Sequence, residues 1–258
     1  MRYYITADDF GLTETKTEAI DIGIRSGYIQ RASLIMNMPA TEKAIELSRL
    51  GGYEDRLCFH LNLAQGFPLT DALRSSEFCS KNGSLRRVNP RKLLKLYFFS
   101  AKVRKGLRAE CEAQIKAFRD SGLKSTHIDS HTWCLCSIPV WNAIKPLLKK
   151  YGFETTRTNE GHLINSCSSS LAVYYKFVFM RIKRVLRVCD DWSGCGQELE
   201  DAMRIGSVST DSIVELYVHP DMKDGEAVDT LYSYARDSKR LSEIVEIANG
   251  FGELKDII

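Results

Sequence analysis

The 258-residue sequence contains no run of eighteen apolar residues, so no segment is expected to cross a membrane as a helix. Its opening, Met-Arg-Tyr-Tyr-Ile-Thr-Ala-Asp-Asp, reaches two acids before any apolar stretch of leader length, and a secretory signal is not expected. Charge of one sign is also scarce. The 36 basic and 33 acidic side chains leave a net +3, too little to predict nucleic-acid binding. No internal repeat, low-complexity tract or proline-rich linker interrupts the chain. Eight cysteines are too few at this length for a disulfide scaffold. The single residue between Cys134 and Cys136 excludes a Cys-x-x-Cys redox pair or half a zinc ribbon, and Cys58 lies in an apolar run where thiols act as small hydrophobes. These features point to a reducing, cytoplasmic setting.

What is present is ordinary for a globular protein: 44% hydrophobic and 27% charged residues, on a chain long enough for one barrel domain spanning 1–258. Short apolar runs alternate with helical patterns, the signature of βαβ units and a mostly parallel sheet. Strands are expected near 3–7, 32–36, 57–63, 126–129, 153–158 and 212–218. Helices are expected near 13–27, 40–50, 139–151 and 227–249. A long helical region should start at an Asn89-Pro90 cap and run to about 121, with a break near Lys105-Gly106. Residues 65–89 read as irregular. Six to eight strands so arranged predict an α/β fold, a closed or nearly closed (β/α) barrel, with an open doubly wound sheet as the alternative.

Four polar clusters fall at the downstream ends of four expected strands: Asp8-Asp9, His60-Leu61-Asn62, His127-Ile128-Asp129-Ser130-His131 and His219-Pro220. Four of the five histidines lie there, and only His162 does not. Barrel active sites are assembled from the C-terminal ends of several strands. Strand alternation places Cys58, His60 and Asn62 on one face, and His127, Asp129 and His131 on another shared face. Imidazoles with a carboxylate can supply one ligand and orient others, and such a donor set suits zinc, iron or cobalt more than magnesium. Each cluster also has a plainer reading: Asp8-Asp9 as a helix-entry cap, His60 as a hydrogen-bonded core residue, His219 as a rim histidine. A fifth cluster, Asp190-Asp191-Trp192, leaves open whether Trp192 stacks on a sugar or fills the core.

Taken together, Thr6-Ala7-Asp8-Asp9-Phe10-Gly11-Leu12, His60-Leu61-Asn62-Leu63 followed by Gly66 and Pro68, His127-Ile128-Asp129-Ser130-His131, and His219-Pro220 resemble, in order, the motifs of the YdjC-like carbohydrate deacetylases. The resemblance implies a (β/α) barrel related to the polysaccharide deacetylases and one divalent cation, Mg2+ or Zn2+. It implies Asp9, His60 and His131 as metal ligands, Asp8 as general base and His219 as general acid. His127, Asp129, Asn62, Trp133 and Arg157 would support those groups or meet the substrate. The implied activity is removal of an N-acetyl group from an amino sugar or N-acetylated oligosaccharide. The implied partner is a small carbohydrate, in a protein that could form a homodimer.

The sequence departs from the family pattern where histidines usually follow Asp-Ser-His. Here the run is Thr132-Trp133-Cys134-Leu135-Cys136. Thr6 replaces the usual asparagine and Asp221 the usual glycine. An alternative reading is therefore a catalytically impaired carbohydrate-binding barrel. Residues 171–188, LAVYYKFVFMRIKRVLRV, form a basic amphipathic segment with two readings. It packs its apolar side on the domain with solvated cations outside, or it lies on a membrane surface and brings the protein to a lipid-linked glycan.

Overall fold

A computed structural model describes residues 1–86, 99–158, 169–233 and 237–255, without the side chains of 169–171. The expected Asn89-Pro90 cap and His162 lie outside these residues. The chain begins with β1 (Arg2–Phe10), α1 (Glu14–Arg25), β2 (Arg31–Leu34), α2 (Thr41–Gly51) and β3 (Leu57–Leu61). A short α3 (Asp71–Arg74), the long α4 (Ala101–Asp120), β4 (Ile128–Ser130), α5 (Ile138–Lys150) and β5 (Thr155–Thr156) follow. Next come α6 (Ser169–Lys183), β6 (Arg187–Val188), β7 (Trp192–Gly194), α7 (Gly196–Arg204) and β8 (Ile213–Val218). A hairpin of β9 (Pro220–Lys223) and β10 (Glu226–Asp229), then β11 (Lys239–Arg240), α8 (Leu241–Asn249) and β12 (Glu253–Leu254), complete the order.

The strands β7-β8-β1-β2-β3-β4 run parallel in that spatial order, and β12 joins β1. A single parallel bridge, His127 to Thr155, carries the order on to the parallel pair β5-β6. The result is a curled, mostly parallel sheet with helices around it, as expected from the alternation of apolar runs. Burial on both sides explains the near-continuous apolar character of β1, β3 and β8. Between sheet and helices, Phe59 packs its ring against Phe118 of α4 and Phe153, at centroid distances of 5.6 and 5.5 Å. Trp141 is the largest fully buried side chain and fixes α5.

Two expectations need correction. Residues 227–229 are not helical. Asp224-Gly225, both with positive φ (51° and 82°), turn the chain so that β9 and β10 pair antiparallel, and only 241–249 form the last helix. The physical signal was the Asp-Gly dipeptide, which supplies the left-handed conformations a two-residue hairpin needs. The expected break at Lys105-Gly106 is also absent, because α4 runs unbroken from 101 to 120. Gly106 serves close packing instead. A Cβ there would lie 2.8 Å from the carbonyl oxygen of Ala72 and 3.0 Å from the Cα of Leu73, both backbone atoms of α3. Strand β7 was not anticipated. It is three residues long, and the buried Trp192 at its start belongs to the core rather than to a sugar platform.

Gly106→Val should force α3 away from α4 and lower stability by roughly 1–3 kcal/mol, the usual cost of overpacking a tight contact. Urea denaturation followed by circular dichroism measures this, and an unchanged midpoint would show that α3 yields freely.

Candidate active site

The site begins with a fault in β1. Ala7 pairs with Ala32 and Phe10 with Leu34, so three steps along β1 match two along β2. This extra residue is a β-bulge at Asp8-Asp9, and Asp9 takes a left-handed φ of 71°. A bulge re-aims side chains that regular alternation would send to opposite faces. It lets two consecutive carboxylates join one buried cluster with different partners. Gly11 completes the turn. Its φ is 87°, and a Cβ would meet the Cα of Thr41 at 3.1 Å and the carbonyl of Ile35 at 3.2 Å.

Asp9 turns toward the histidines. Its Oδ1 lies 2.6 Å from His131 Nδ1 and 3.6 Å from His60 Nε2. The ligand-capable atoms of Asp9, His60 and His131 all lie within 4.8 Å of one another. Asp129 on β4 accepts from His60 Nδ1 at 2.5 Å, which fixes the ring so that Nε2 faces Asp9. That Nε2 is fully buried and has no hydrogen-bond partner. A buried imidazole nitrogen left unpaired, with its other nitrogen held by a carboxylate, fits a metal ligand and its supporting group. On this observation the donor set suits a divalent cation. Burial alone would raise the Asp9 carboxyl, but the bond from His131 and the nearby imidazole of His60 hold it well below the usual carboxylate range. His60 moves the other way. Burial opposes its charge, yet Asp129 and then Asp9 push it up to about 10. The negative field that draws a proton onto His60 would equally draw a cation.

Asp8 turns toward Arg157, just beyond β5. The guanidinium clamps it with two bonds, Nη1 to Oδ2 at 3.0 Å and Nη2 to Oδ1 at 2.7 Å. The same Nη2 donates to Asp129 Oδ2, and Nε lies 3.3 Å from Glu215 of β8. Ser33 Oγ donates to Asp129 Oδ2 at 2.6 Å. Glu215 also pairs with Arg31 at 2.7 Å and accepts from Tyr4 Oη at 2.9 Å. Burial would raise Glu215, but Arg31 and Arg157 bring it down to about 2. His219, immediately after β8, places Nε2 3.9 Å from Asp8 Oδ2. Its backbone N–H donates to Asp229 in the β9-β10 hairpin at 2.8 Å, and its ring stands edge-on to Tyr217.

The remaining expected residues occupy distinct places. His127 faces the interior beneath Asp129. It contacts Thr155 through Nδ1 at 3.1 Å and groups with Cys58 and Asp129. Asn62 shapes the loop after β3: it donates to Asn37 Oδ1 and the Gln65 carbonyl, and accepts from the N–H groups of Ala64 and Gln65. That loop brings Gln65 Oε1 to 3.3 Å from His131 Nε2. Trp133 follows His131 in a turn where both Thr132 (φ 50°) and Trp133 (φ 64°) are left-handed, and its ring meets Tyr175 of α6. Asp190 and Asp191 stand apart from these groups. Asp190 accepts from Thr158, and Asp191 caps the start of β8 through Ile213. Sequence reading missed Ser33, Arg31, Glu215 and Gln65. The signal for Glu215 and Arg31 was a lone charge inside an apolar strand, which requires a buried partner.

A family model for YdjC-like protein matches residues 2–246. A carbohydrate deacetylase of Halalkalibacterium halodurans is 31% identical over 58% of this chain and 61% of its own length. The human carbohydrate deacetylase is 32% identical over 65% of this chain and 51% of its own. The chain thus matches about half to three-fifths of the length of these relatives. A carbohydrate deacetylase of Clostridium beijerinckii is 24% identical over 92% of this chain and 88% of its own length. Among solved structures, a proposed cellobiose-phosphate cleavage protein of Enterococcus faecalis V583 superposes with a TM-score of 0.69 at 19% identity. It covers 98% of this chain and 95% of its own, a likeness of fold.

Burial, then the Arg31 charge, depresses His127 from 6.5 to about 3. Between those values the unfolded chain binds a proton that the folded chain refuses, so this residue costs stability as pH falls. Asp190, raised by burial to about 7, acts in the opposite sense over the same range. The wild-type curve alone therefore cannot isolate His127. From pH 7 to 5, His127→Asn should gain about 2 kcal/mol relative to the wild type. Denaturation at the two pH values reads the difference, and a constant gap would show that His127 accepts a proton in the folded state.

Proposed function

The chain belongs to the YdjC-like family, and from that membership and its site we propose that it is a metal-dependent hydrolase removing an N-acetyl group from an amino sugar or N-acetylated oligosaccharide. The observation that carries this reading is the divergence of Asp8 and Asp9 at the bulge. One carboxylate joins two imidazoles, while its neighbour is held by an arginine beside a third histidine. The substrate class rests on the names of the relatives.

In this reading Asp9, His60 and His131 hold one divalent cation. Their nitrogen-rich set favours zinc, and magnesium is the other candidate. A bound cation supplies Lewis-acid polarisation of the amide carbonyl and acidifies a water molecule. Asp8 then takes the proton of the attacking water. Its two-pronged pair with Arg157 fixes the direction of its oxygens, so the carboxylate need not reorient. His219, on the other side of Asp8, gives a proton to the departing nitrogen. Asp129 keeps His60 in one tautomer. Its Oδ1 takes the His60 bond while Oδ2 is tied to Ser33 and Arg157.

Three variants test the roles. Asp9→Ala and His60→Ala should lose bound metal by elemental analysis. Asp8→Asn should keep the metal and lose about 10²–10⁴-fold in kcat for acetate release from N-acetylated sugars. Stoichiometric metal in both ligand variants would overturn the ligand assignment. Sugar binding by the metal-loaded wild type with no acetate released would instead favour a binding barrel, the reading raised by Thr132-Trp133-Cys134 in place of histidines.

A further inference from the structure

The outer wall formed by α5 and α6 has a composition unlike the rest of the protein. Neither residues 138–150 nor residues 169–188 contain an acidic side chain, and together they carry eight cations. The whole chain has a net +3, so without these eight the remainder carries −5. Hydrogen bonds link the two helices. The Ile138 N–H donates to Tyr174 Oη at 3.3 Å, and Arg181 donates to Asn142 at 3.4 Å. Lys145 and Lys149 are exposed on α5, as are Lys176, Arg184 and Arg187 on α6 and the turn after it. None of these five pairs with a carboxylate among the described residues.

Apolar side chains stand exposed among these cations. Val173, Phe177 and Met180 recur at helical spacing on the outer face of α6, and are 69%, 47% and 58% exposed. The opposite face, with Tyr175, Val178, Phe179 and Ile182, is buried against the domain. The helix thus has its own core face, and a second apolar stripe is left over.

We propose that the α5–α6 wall docks on an anionic lipid surface, with Val173, Phe177 and Met180 entering the headgroup layer and the surrounding cations meeting lipid phosphates. Charge complementarity selects this occupant. A second copy of the chain would set the same unpaired cations against one another across a two-fold axis. A nucleic acid would use the cations but leave the aliphatic Val173 and Met180 without stacking partners. A stripe of large apolar side chains rimmed by Lys and Arg is the pattern of an interfacial helix, and no helix among the described residues is long and apolar enough to cross the bilayer. The buried face of α6 touches Trp133 through Tyr175, so the docking helix contacts the turn that carries His131.

The full-length protein is sedimented with vesicles of phosphatidylcholine, or of equal parts phosphatidylcholine and phosphatidylglycerol, at low and high salt. Binding should require the anionic lipid and fall with salt. The triple variant Lys176→Gln/Arg184→Gln/Arg187→Gln should bind about a hundredfold more weakly. Phe177→Ser/Met180→Ser should weaken binding even at low salt. All five positions are exposed, and circular dichroism confirms the fold of each variant. Four outcomes overturn the proposal: no sedimentation with anionic vesicles, equal binding by the triple variant, tighter binding to single-stranded RNA than to vesicles, or a dimer that Phe177→Ser/Met180→Ser converts to monomer. Sedimentation reads binding alone, so its failure leaves the deacetylase reading intact.

Discussion

The guanidinium of Arg157 is buried and meets three carboxylates: Asp8 through two bonds, Asp129 through one, and Glu215 at 3.3 Å. These come from the adjacent strands β1 and β8 and from β4, which lies beyond β2 and β3 in the same sheet. A charge removed from water must be paired or it costs several kcal/mol, so the arginine and the three acids fix one another. Moving any of the strands would leave a buried charge uncompensated. The positions of Asp8, of His60 through Asp129, and of Tyr4 and Arg31 through Glu215 all follow from this one pairing. Asp8, Asp9, Asp129 and Glu215 against Arg31 and Arg157 leave two formal negative charges in the interior. Those charges can be met by protons on the histidines, as the raised His60 indicates, or by one divalent cation.

The network also explains why the bulge in β1 is necessary. A regular strand would send Asp8 and Asp9 to opposite faces, and one would leave the polar interior. The extra residue between Ala7 and Phe10, with the left-handed Asp9, keeps both in the polar interior. A second strained element lies across the cavity. Thr132 and Trp133 are consecutive left-handed residues without glycine, a conformation costing roughly 1–3 kcal/mol each unless the surroundings enforce it. Here the Ser130 hydroxyl accepts the Leu135 N–H, and Cys134 donates to the Leu61 carbonyl, holding the turn from both sides. Strain therefore sits beside Asp9 and beside His131, two of the three residues that would grip a cation.

Much of this was legible in the sequence, for a simple reason. Polar residues at the ends of apolar strands are rare enough that four such clusters, containing four histidines, point to one rim. The order of the apolar runs places His60, His131 and His219 at strand ends, although His131 lies in the turn beyond β4 rather than on the strand face that alternation assigned it. The separate tasks of Asp8 and Asp9 could not be read this way, because a bulge is a mismatch between two strands and exists only once β2 is paired. Arg157 had no local signal, since its partners lie 28 to 149 residues away. Residues 227–229 were misread because Ala227-Val228 fits either period. The decisive Asp224-Gly225 turn outweighs that ambiguity only when 220–223 is recognised as its partner strand.

The protein is electrically lopsided in a way that the small net charge conceals. Its interior gathers carboxylates, while the α5–α6 wall carries eight cations and no acid. The two regions meet at the turn that carries His131. Trp133 closes the turn that carries His131 and packs its ring on Tyr175, whose helix bears Val173 and Phe177 on the opposite side. Tyr175 and Trp133 thus form a line of contact between α6 and a turn already held in a strained conformation. With an indole at position 133, this turn contributes an aromatic contact to α6 and no imidazole beyond His131.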